Sequence, residues 1–546
     1  MSEAIPKPAP DMAADTTSDM TSVTLTERVP RRRWRGRWRR RLLLGAGFAV
    51  FFAAVVTFYV FISSAGTFTS WATWTAYYDP QAEGFRAGHL YTTVPVSPAL
   101  KALKDPLNLA NMRFWRWDYS YYDGHIYLYW GLLPPAILAA VKSVFRIRHL
   151  VTDDPLVFGF LLAQAVAGAL LIRAMARRLQ PRPPVWSVWL AMALFAFAHP
   201  TPFLLARGAI YEGAITAGSC FMVMAFYAAF EGLFAAAAGR GTLLLLLASF
   251  CTGLAGASRV SLLPAAVATM TVAALARWRV NGGGWPRLLR LAAVLGAPLT
   301  AVTLLHMLLN RLRFGEWTEF GQKYQMGFRW FPFGARFLPA DLYVYLFRPP
   351  TRWCKFPFIS AEWGYPKDLF PRWLPVPQEY RVNEPTVGLL LIAPFAWFLW
   401  ILVGLPLLAW LRRRRAGAGA MPITVDAASA DTDIGIRWRW FLAVLVTALC
   451  GTAAVPFLVG AATMRYHGDF AAPILLLAVV GAWRWLALFR RSPARFAAAG
   501  LFVALALVTI AAGALLGFTG YFNHFSRHNP ALLQKLQKYS HVCRGP

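Results

Sequence analysis

Long apolar runs alternate with short arginine-rich segments along nearly the whole chain. The first run, residues 42–64, is long enough to cross a bilayer as a helix. Further runs follow at 156–172, 186–206, 209–238, 243–258, 260–276, 291–310, 387–411, 440–461, 474–488 and 497–518. One stretch, 131–145, is short for a span and opens on Pro134-Pro135, which predicts an interfacial or re-entrant helix. The pattern as a whole predicts an all-α polytopic membrane protein of about eleven spans.

Composition agrees. Apolar residues make up 58% of the 546, where a soluble domain averages roughly 45–50%. The formal charge of +30 would suggest a nucleic-acid partner in a soluble protein. Here the arginines stand in blocks between apolar runs and no basic domain lies outside them, so the charge orients helices and excludes nucleic acid. RRRWRGRWRRR at 31–41 abuts the first run, which reads as an uncleaved signal anchor with its N-terminus in the cytoplasm. Residues 1–30 are polar and predict a disordered cytoplasmic tail.

With the 131–145 stretch left out of the crossings, RAMARRLQPR, RWRVNGGGWPRLLR, residues 412–415 and FRRSPAR all fall on the inner side. The expected organisation is a transmembrane module over 31–411, with outer loops at 66–155 and 311–385. A cytoplasmic linker (412–437), C-terminal helices (438–518) and an outer tail (519–546) complete it. Cys220, Cys251 and Cys450 lie in apolar runs, whereas Cys354 and Cys543 fall in polar regions and can pair only in an oxidising compartment.

This topology gathers Asp79, Glu83, Asp118, Glu212, Glu316, Glu319 and Asp469 on the outer face with Arg207, Arg259, Lys323 and Arg465. In RFWRWDYSYYDGHIYLYWGLLPP (113–135), Asp123-Gly124 is a two-residue hairpin turn. It pairs Tyr122 with His125, Ser120 with Tyr127 and Asp118 with Tyr129 on one polar face. Trp117, Tyr119, Tyr121, Ile126, Leu128 and Trp130 share the other, which can pack on helices or the interface. Rings beside a carboxylate, hydroxyls and an imidazole suit a sugar, which has an apolar face and a polar rim. An interfacial aromatic belt explains the rings equally well but leaves Asp118 unexplained.

In YYDPQAEGF, Asp79-Pro80 predicts an N-cap followed by proline at the first helical position. Glu83 is then one turn in, either a catalytic carboxylate or a solvated glutamate favoured by the helix dipole. Glu212, where a helix meets the outer face, is costly unless it is used or paired with Arg207. Arg259 is similarly costly unless used, with snorkelling to the interface as the alternative. Glu316, Glu319 and Lys323 carry helical spacing and are equally explained as an ion-paired, solvated helix.

The stretches YYDPQAEGFRAGHLY, WDYSYYDGHIYLYWGLLPP, ARGAIYEGAI, GASR, RFGEWTEFGQKYQMG, NEPTVGLL and RYHGDFAAP run from about residue 70 to 475. Together they resemble the GT-C class of membrane glycosyltransferases, and within it a bacterial branch. The resemblance implies a GT-C-like helix bundle whose first outer loop holds juxtamembrane helices and the short hairpin. It implies hexosyl or pentosyl transfer from a polyprenyl-phosphate donor to a glycan or glycolipid acceptor hydroxyl, with inversion, at the outer face of the bacterial inner membrane. The class carries an acidic residue after its first helix. Glu83 matches best here, with Asp79 four residues earlier, so either can be the base and Asp118 is a third candidate. Arg259, Arg465 and Lys323 are then expected at the donor phosphate, and Glu212, Tyr122, His125, Tyr127 and Tyr129 at the sugar. No obligatory metal is expected, since a lone His-x-Asp in RYHGDF is a weak metal signal. The competing readings are a flippase or transporter of lipid-linked saccharides and a saccharide ligase or polymerase.

Overall fold

The computed structural model describes residues 31–327, 331–361, 370–416 and 433–540. The tail expected at 1–30, most of the linker expected at 412–437 and Cys543 lie outside them. The chain forms two compact units, Met1–Ala54 and Val55–Pro546, and the site described below lies wholly within the second.

Among the described residues ten helices are long and apolar enough to cross a membrane, which makes this a multi-pass membrane protein. In chain order the elements that matter are α1 (Arg31–Ser63), α2 (Tyr78–Arg86), β1 (Tyr119–Tyr122), β2 (His125–Tyr127) and α3 (Leu133–Val144). Then come α4 (Asp154–Arg178), α5 (Val185–Phe197), α6 (Thr201–Leu205), α7 (Ile210–Leu233), α8 (Ala238–Ser258), α9 (Leu263–Asn281) and α10 (Trp285–Phe314). Strands β3 (Gln325–Met326), β4 (Thr351–Arg352), β5 (Ile359–Ser360) and β6 (Arg381–Val382) belong to the second large loop. They are followed by α11 (Leu399–Ala416), α12 (Asp433–Ala454), β7 (Ala461–Ala462), α13 (His467–Leu488), α14 (Arg495–Thr519) and α15 (Pro530–Tyr539).

Helices α7 and α13 are apolar on every side and almost wholly buried, as expected of helices at the centre of a bundle. Around them α7 packs on α4 and α8, α9 on α12, and α11 on α13. Helix α10 is largely exposed and runs 30 residues, longer at both ends than the apolar run 291–310 suggests. The short α3 is a helix of 12 residues, in keeping with a segment that does not span. The run 387–411 is broken: Leu389–Ile392 is a short helix, Pro394–Phe398 a 3₁₀ turn, and α11 begins only at Leu399. Pro394 lacks the N–H that would continue the helix. The broken run is not among the ten, where about eleven spans were expected.

Both loops sit at one end of the bundle and are stitched together. The hairpin has the register its turn dictates, Ser120 opposite Tyr127 and Tyr122 opposite His125, with Asp123 and Gly124 both at positive φ. Strand β3, from the second loop, adds antiparallel to β1. Strand β6 pairs in parallel with β7, so residues 381–384 are held against the start of α13. Tyr119, Ile126 and Leu128 enter a core with Tyr78, Leu138 and Ile210. Trp117, expected on that apolar face, is instead half-exposed.

The ladder ends before Asp118, so the expected pairing of Asp118 with Tyr129 does not form. Asp118 has φ 63, a left-handed conformation that Asp tolerates better than most residues, and its N–H donates to the Met326 carbonyl at 3.1 Å.

The start of α2 also differs from expectation. Asp79 lies inside the first turn and caps nothing. The cap comes from far along the chain: Asp153 accepts from the N–H groups of Tyr77 (3.1 Å) and Tyr78 (3.0 Å) and from Thr75 Oγ1 (2.5 Å). Burial pushes the Asp153 carboxyl up to about 6 despite these donors.

Candidate active site

Where the two loops meet the ends of the helices, a cavity of about 550 Å³ opens. Its wall is assembled from distant segments. The hairpin supplies Trp117, Asp118, Tyr129 and Trp130, and the start of α7 supplies Tyr211 with Arg207 just before it. Arg259 comes from the α8–α9 junction and His306 from α10. Arg381, Asn383 and Glu384 follow from the β6 strap, Arg465 and Tyr466 from the turn before α13, and Tyr521 from the segment after α14.

Arg207, Arg259 and Arg465 each have a carboxylate and an aromatic face. Arg465 is ion-paired with Glu384 and lies 4.0 Å from the centre of the Tyr211 ring. Arg207 reaches Glu384 at 3.4 Å and Glu212 at 3.5 Å, stacked 4.2 Å over Tyr521. Arg259 holds Asp469 through two nitrogens, at 3.1 and 2.9 Å, and lies 5.1 Å over Tyr466. These rings orient the guanidinium planes and leave their edges for oxygen ligands.

Asp118 is different. It accepts a hydrogen bond from the Tyr211 hydroxyl at 2.6 Å and makes no ion pair among the described residues. Burial raises its carboxyl above the ordinary range, against the Tyr211 hydrogen bond and the charges of Arg465 and Arg207. A carboxylate tuned upward in a cavity, with a neutral donor to orient it, is suited to accept a proton.

Of the residues singled out from the sequence, Asp118, Tyr129, Arg259 and Arg465 are on the cavity wall. Glu212 stands behind it, buried and paired with Arg207. Asp79 and Glu83 do not reach the cavity. Both are bound to Lys142 Nζ at 2.5 Å, and Glu83 also holds Arg86 at 2.8 Å. Against the burial that would raise it, Lys142 and Arg86 keep the Glu83 carboxyl below its ordinary value.

Three of the hairpin rings also point elsewhere. Tyr122 packs on Tyr324 and Phe314, His125 stacks on Tyr91 at 4.1 Å, and Tyr127 packs on Phe314 beneath Arg313. Lys323 is exposed and pairs with Glu316 at 3.0 Å. The helix suggested by the spacing of Glu316, Glu319 and Lys323 does not form. Glu319 Oε1 instead accepts from the N–H groups of Gly321 and Lys323 and closes a turn. Among the described residues no group of three or more His, Cys, Asp or Glu is arranged to hold a metal ion.

The residues missed by sequence reasoning are Tyr211, Glu384, Tyr466 and Tyr521. Tyr211 and Tyr466 adjoin Glu212 and Arg465, but nothing in a run of letters marks a ring as a lid over an arginine. Glu384 lies in NEPTVGLL, where it is the carboxylate nearest an apolar run.

The fold and the site define a multi-pass membrane protein with a charged, aromatic-lined cavity at the loop-bearing end of its bundle. No protein-family model and no curated protein matches the chain. Similar solved structures are of the oligosaccharyltransferase AglB from Archaeoglobus fulgidus. The complex with an inhibitory peptide and a dolichol-phosphate has 13% identity and a TM-score of 0.38, the apo form 12% and 0.39. The form tethered to an acceptor peptide containing the NVT sequon has 11% and 0.40. Each covers 91% of this chain, which spans about 60% of the length of those proteins. At such TM-scores the likeness carries no argument, and the reading below rests on the site.

Proposed function

We propose that the chain is a GT-C-type membrane glycosyltransferase that moves a hexosyl or pentosyl unit from a polyprenyl-phosphate donor to an acceptor hydroxyl. The observation that carries this reading is the cavity itself. It sets one carboxylate free of ion pairing, Asp118, beside Arg465 and within reach of Arg207 in charge, with aromatic rings for a sugar face.

A second feature supports a lipid-linked donor. A groove of about 440 Å³ runs between α9 and α10, lined by Leu263, Val267, Met270, Leu288, Leu299 and Leu304 among others. Its residues Leu263 and Leu304 lie two positions along the chain from the cavity residues Ser261 and His306. An isoprenoid tail in this groove would leave its phosphate near Arg259.

The chemistry balances with the groups present. The acceptor oxygen attacks the anomeric carbon and gives its proton to Asp118. The bond from that carbon to the phosphate oxygen breaks on the opposite side, and polyprenyl phosphate leaves with the electron pair, which inverts the anomeric centre. Arg259 and Arg465 divide their N–H donors between their carboxylate partners and the departing phosphate and stabilise the charge that develops there. Glu83 and Asp79 hold the first loop in place. The arginine blocks at the opposite ends of the helices favour an outer-face location for the cavity. The disulfide-bonded Cys354 in the second loop suits the same, oxidising side. A bacterial inner membrane with the N-terminus in the cytoplasm is the setting that fits.

The test is turnover by the full chain in nanodiscs, offered a panel of polyprenyl-phosphate sugars and candidate acceptors, with release of polyprenyl phosphate followed. The reading expects acceptor-dependent release from at least one donor. Movement of lipid-linked sugar across a proteoliposome membrane without release would replace it with a flippase.

A further inference from the structure

The turn that carries Arg465 into the cavity, and leads to Asp469 behind Arg259, has a third anchor on its hidden side. His467, the first residue of α13, is fully buried beside His199, which lies in the break between α5 and α6. The two rings meet edge to face, 4.9 Å apart at 84°, with His199 Nε2 and His467 Nδ1 at 2.7 Å. The other nitrogen of His467, Nε2, is 3.1 Å from the Tyr345 carbonyl.

A carbonyl only accepts, so His467 Nε2 carries the hydrogen. In an uncharged ring its Nδ1 is then an acceptor, and His199 Nε2–H must be the donor to it. This leaves His199 Nδ1 as a bare acceptor, and among the described residues it has no hydrogen-bond partner. His199 also lines a small pocket of about 10 Å³, with Gln164, Thr201, Thr216 and Ser219 and no charged side chain. Thr216 Oγ1 is already spent on the Glu212 carbonyl at 2.7 Å, and Gln164 Oε1 is likewise unpartnered. The pocket has the smallest size that holds one water. Two uncharged rings thus satisfy this chain of bonds in one tautomeric arrangement only.

What the strut holds is the cavity. Two residues before His467, Arg465 pairs with Glu384; two residues after it, Asp469 pairs with Arg259. Small residues let the turn sit close: a side chain at Gly468 would strike Ile215 of α7 at 2.5 Å. A phosphate must partly disengage the two ion pairs, whereas the His199 bond, like the Tyr345 carbonyl and the β6–β7 pairing, holds the turn from the side the phosphate does not reach.

We propose that His199 is a positioning residue for the candidate active site: its Nε2–H, donated to His467, keeps Arg465 and Asp469 in register while their ion pairs open to take a substrate phosphate. This rests on the glycosyltransferase reading for the identity of the ligand, but the strut is measurable without it. The full chain in lipid, labelled with 15N-histidine, would be studied by solid-state NMR as wild type, His199→Gln and His199→Leu, alongside binding of undecaprenyl phosphate and thermal stability. Glutamine places an amide N–H near the position of Nε2, whereas leucine places none. If His199→Leu does not fold, His199→Asn, whose amide is too short to reach, takes its place.

The expected result is a wild-type His467 protonated at Nε2 with a hydrogen-bonded Nδ1, a state kept in His199→Gln and lost in His199→Leu. Undecaprenyl phosphate affinity falls about tenfold in His199→Leu, the worth of one hydrogen bond, and stays near wild type in His199→Gln. A His467 protonated at Nδ1, or Gln and Leu variants of equal stability that bind alike, would overturn the proposal. If wild type binds no undecaprenyl phosphate the donor reading fails, and the NMR arm still decides whether the strut exists.

Discussion

Lys142 Nζ lies 2.5 Å from both Asp79 and Glu83, and that one ammonium decides what either carboxylate can do. A carboxylate held this way is a poor proton acceptor, so Glu83→Gln is expected to leave kcat within about threefold of wild type, whereas loss of a positioned base costs roughly 10²–10⁴. Lys142→Leu should act on stability instead. It strands the buried Asp79, and removing one partner of a buried pair costs about 3–5 kcal/mol; the check is a lowered Tm with the kcat of the folded fraction retained. Asp341 offers a pH test. It is buried in the second loop, where it accepts from the Tyr380 hydroxyl at 2.7 Å, and burial pushes it up to about 8. Between its unfolded value, about 4, and 8 the folded chain holds a proton that the unfolded chain has lost. Stability therefore falls as pH rises through that window. Asp341→Asn should raise Tm at pH 8 and change it little at pH 4, as thermal unfolding at the two pH values would read. The sequence favoured Glu83 over Asp79 and Asp118 because the lysine that occupies Glu83 is far along the chain, on a helix that packs back only in the fold.

At the scale of elements, legibility followed the range of the forces involved. The hairpin register was readable because Asp123-Gly124 imposes it locally and the alternation of Tyr119, Ile126 and Leu128 agrees. Strand β3 was not, since two residues, Gln325 and Met326, carry no periodicity and pair only because the second loop closes over the first. Asp118 fell outside the ladder for the same reason: its amide is claimed by Met326. Nor was the cap of α2 readable, because Asp153 is supplied from the start of α4. One glycine marks how tightly the hairpin is docked. A Cβ at Gly131 would stand 2.0 Å from the Ser258 carbonyl, at the end of α8 and next to Arg259. Gly131→Ala must therefore push Tyr129 and Trp130 away from Arg259. The expected outcome is at least a tenfold fall in turnover, measured with Tm in the same preparation; wild-type kcat in this variant would show that the hairpin's seating does not matter to the site.

For the whole molecule, hydropathy was sufficient to read most of the helices long and apolar enough to cross, and to set apart the shorter α3. Hydropathy gave no warning of the break at Pro394, because a broken helix buried among α13 and α14 is as apolar as a straight one. The placement of charge predicts that residues of both large loops face one compartment. A cysteine introduced at exposed Asp105 and one at exposed Glu316 should both react with an impermeant thiol reagent added outside intact cells, whereas one at exposed Arg490, at the opposite end of α13, should react only after lysis. The site drew on six or more separate segments of the chain, which is why composition and motif spacing pointed to an end of the bundle without resolving its walls.

The central claim is that Asp118, set against Tyr211 and the paired arginines, is the group that takes the proton during sugar transfer. The most direct measurement is single-turnover release of polyprenyl phosphate by wild type, Asp118→Asn and Glu83→Gln, with donor binding measured in parallel. The account predicts that Asp118→Asn binds donor and loses at least a hundredfold in rate, while Glu83→Gln turns over nearly as wild type. Full turnover by Asp118→Asn, or a rate abolished by Glu83→Gln with the fold intact, would contradict it.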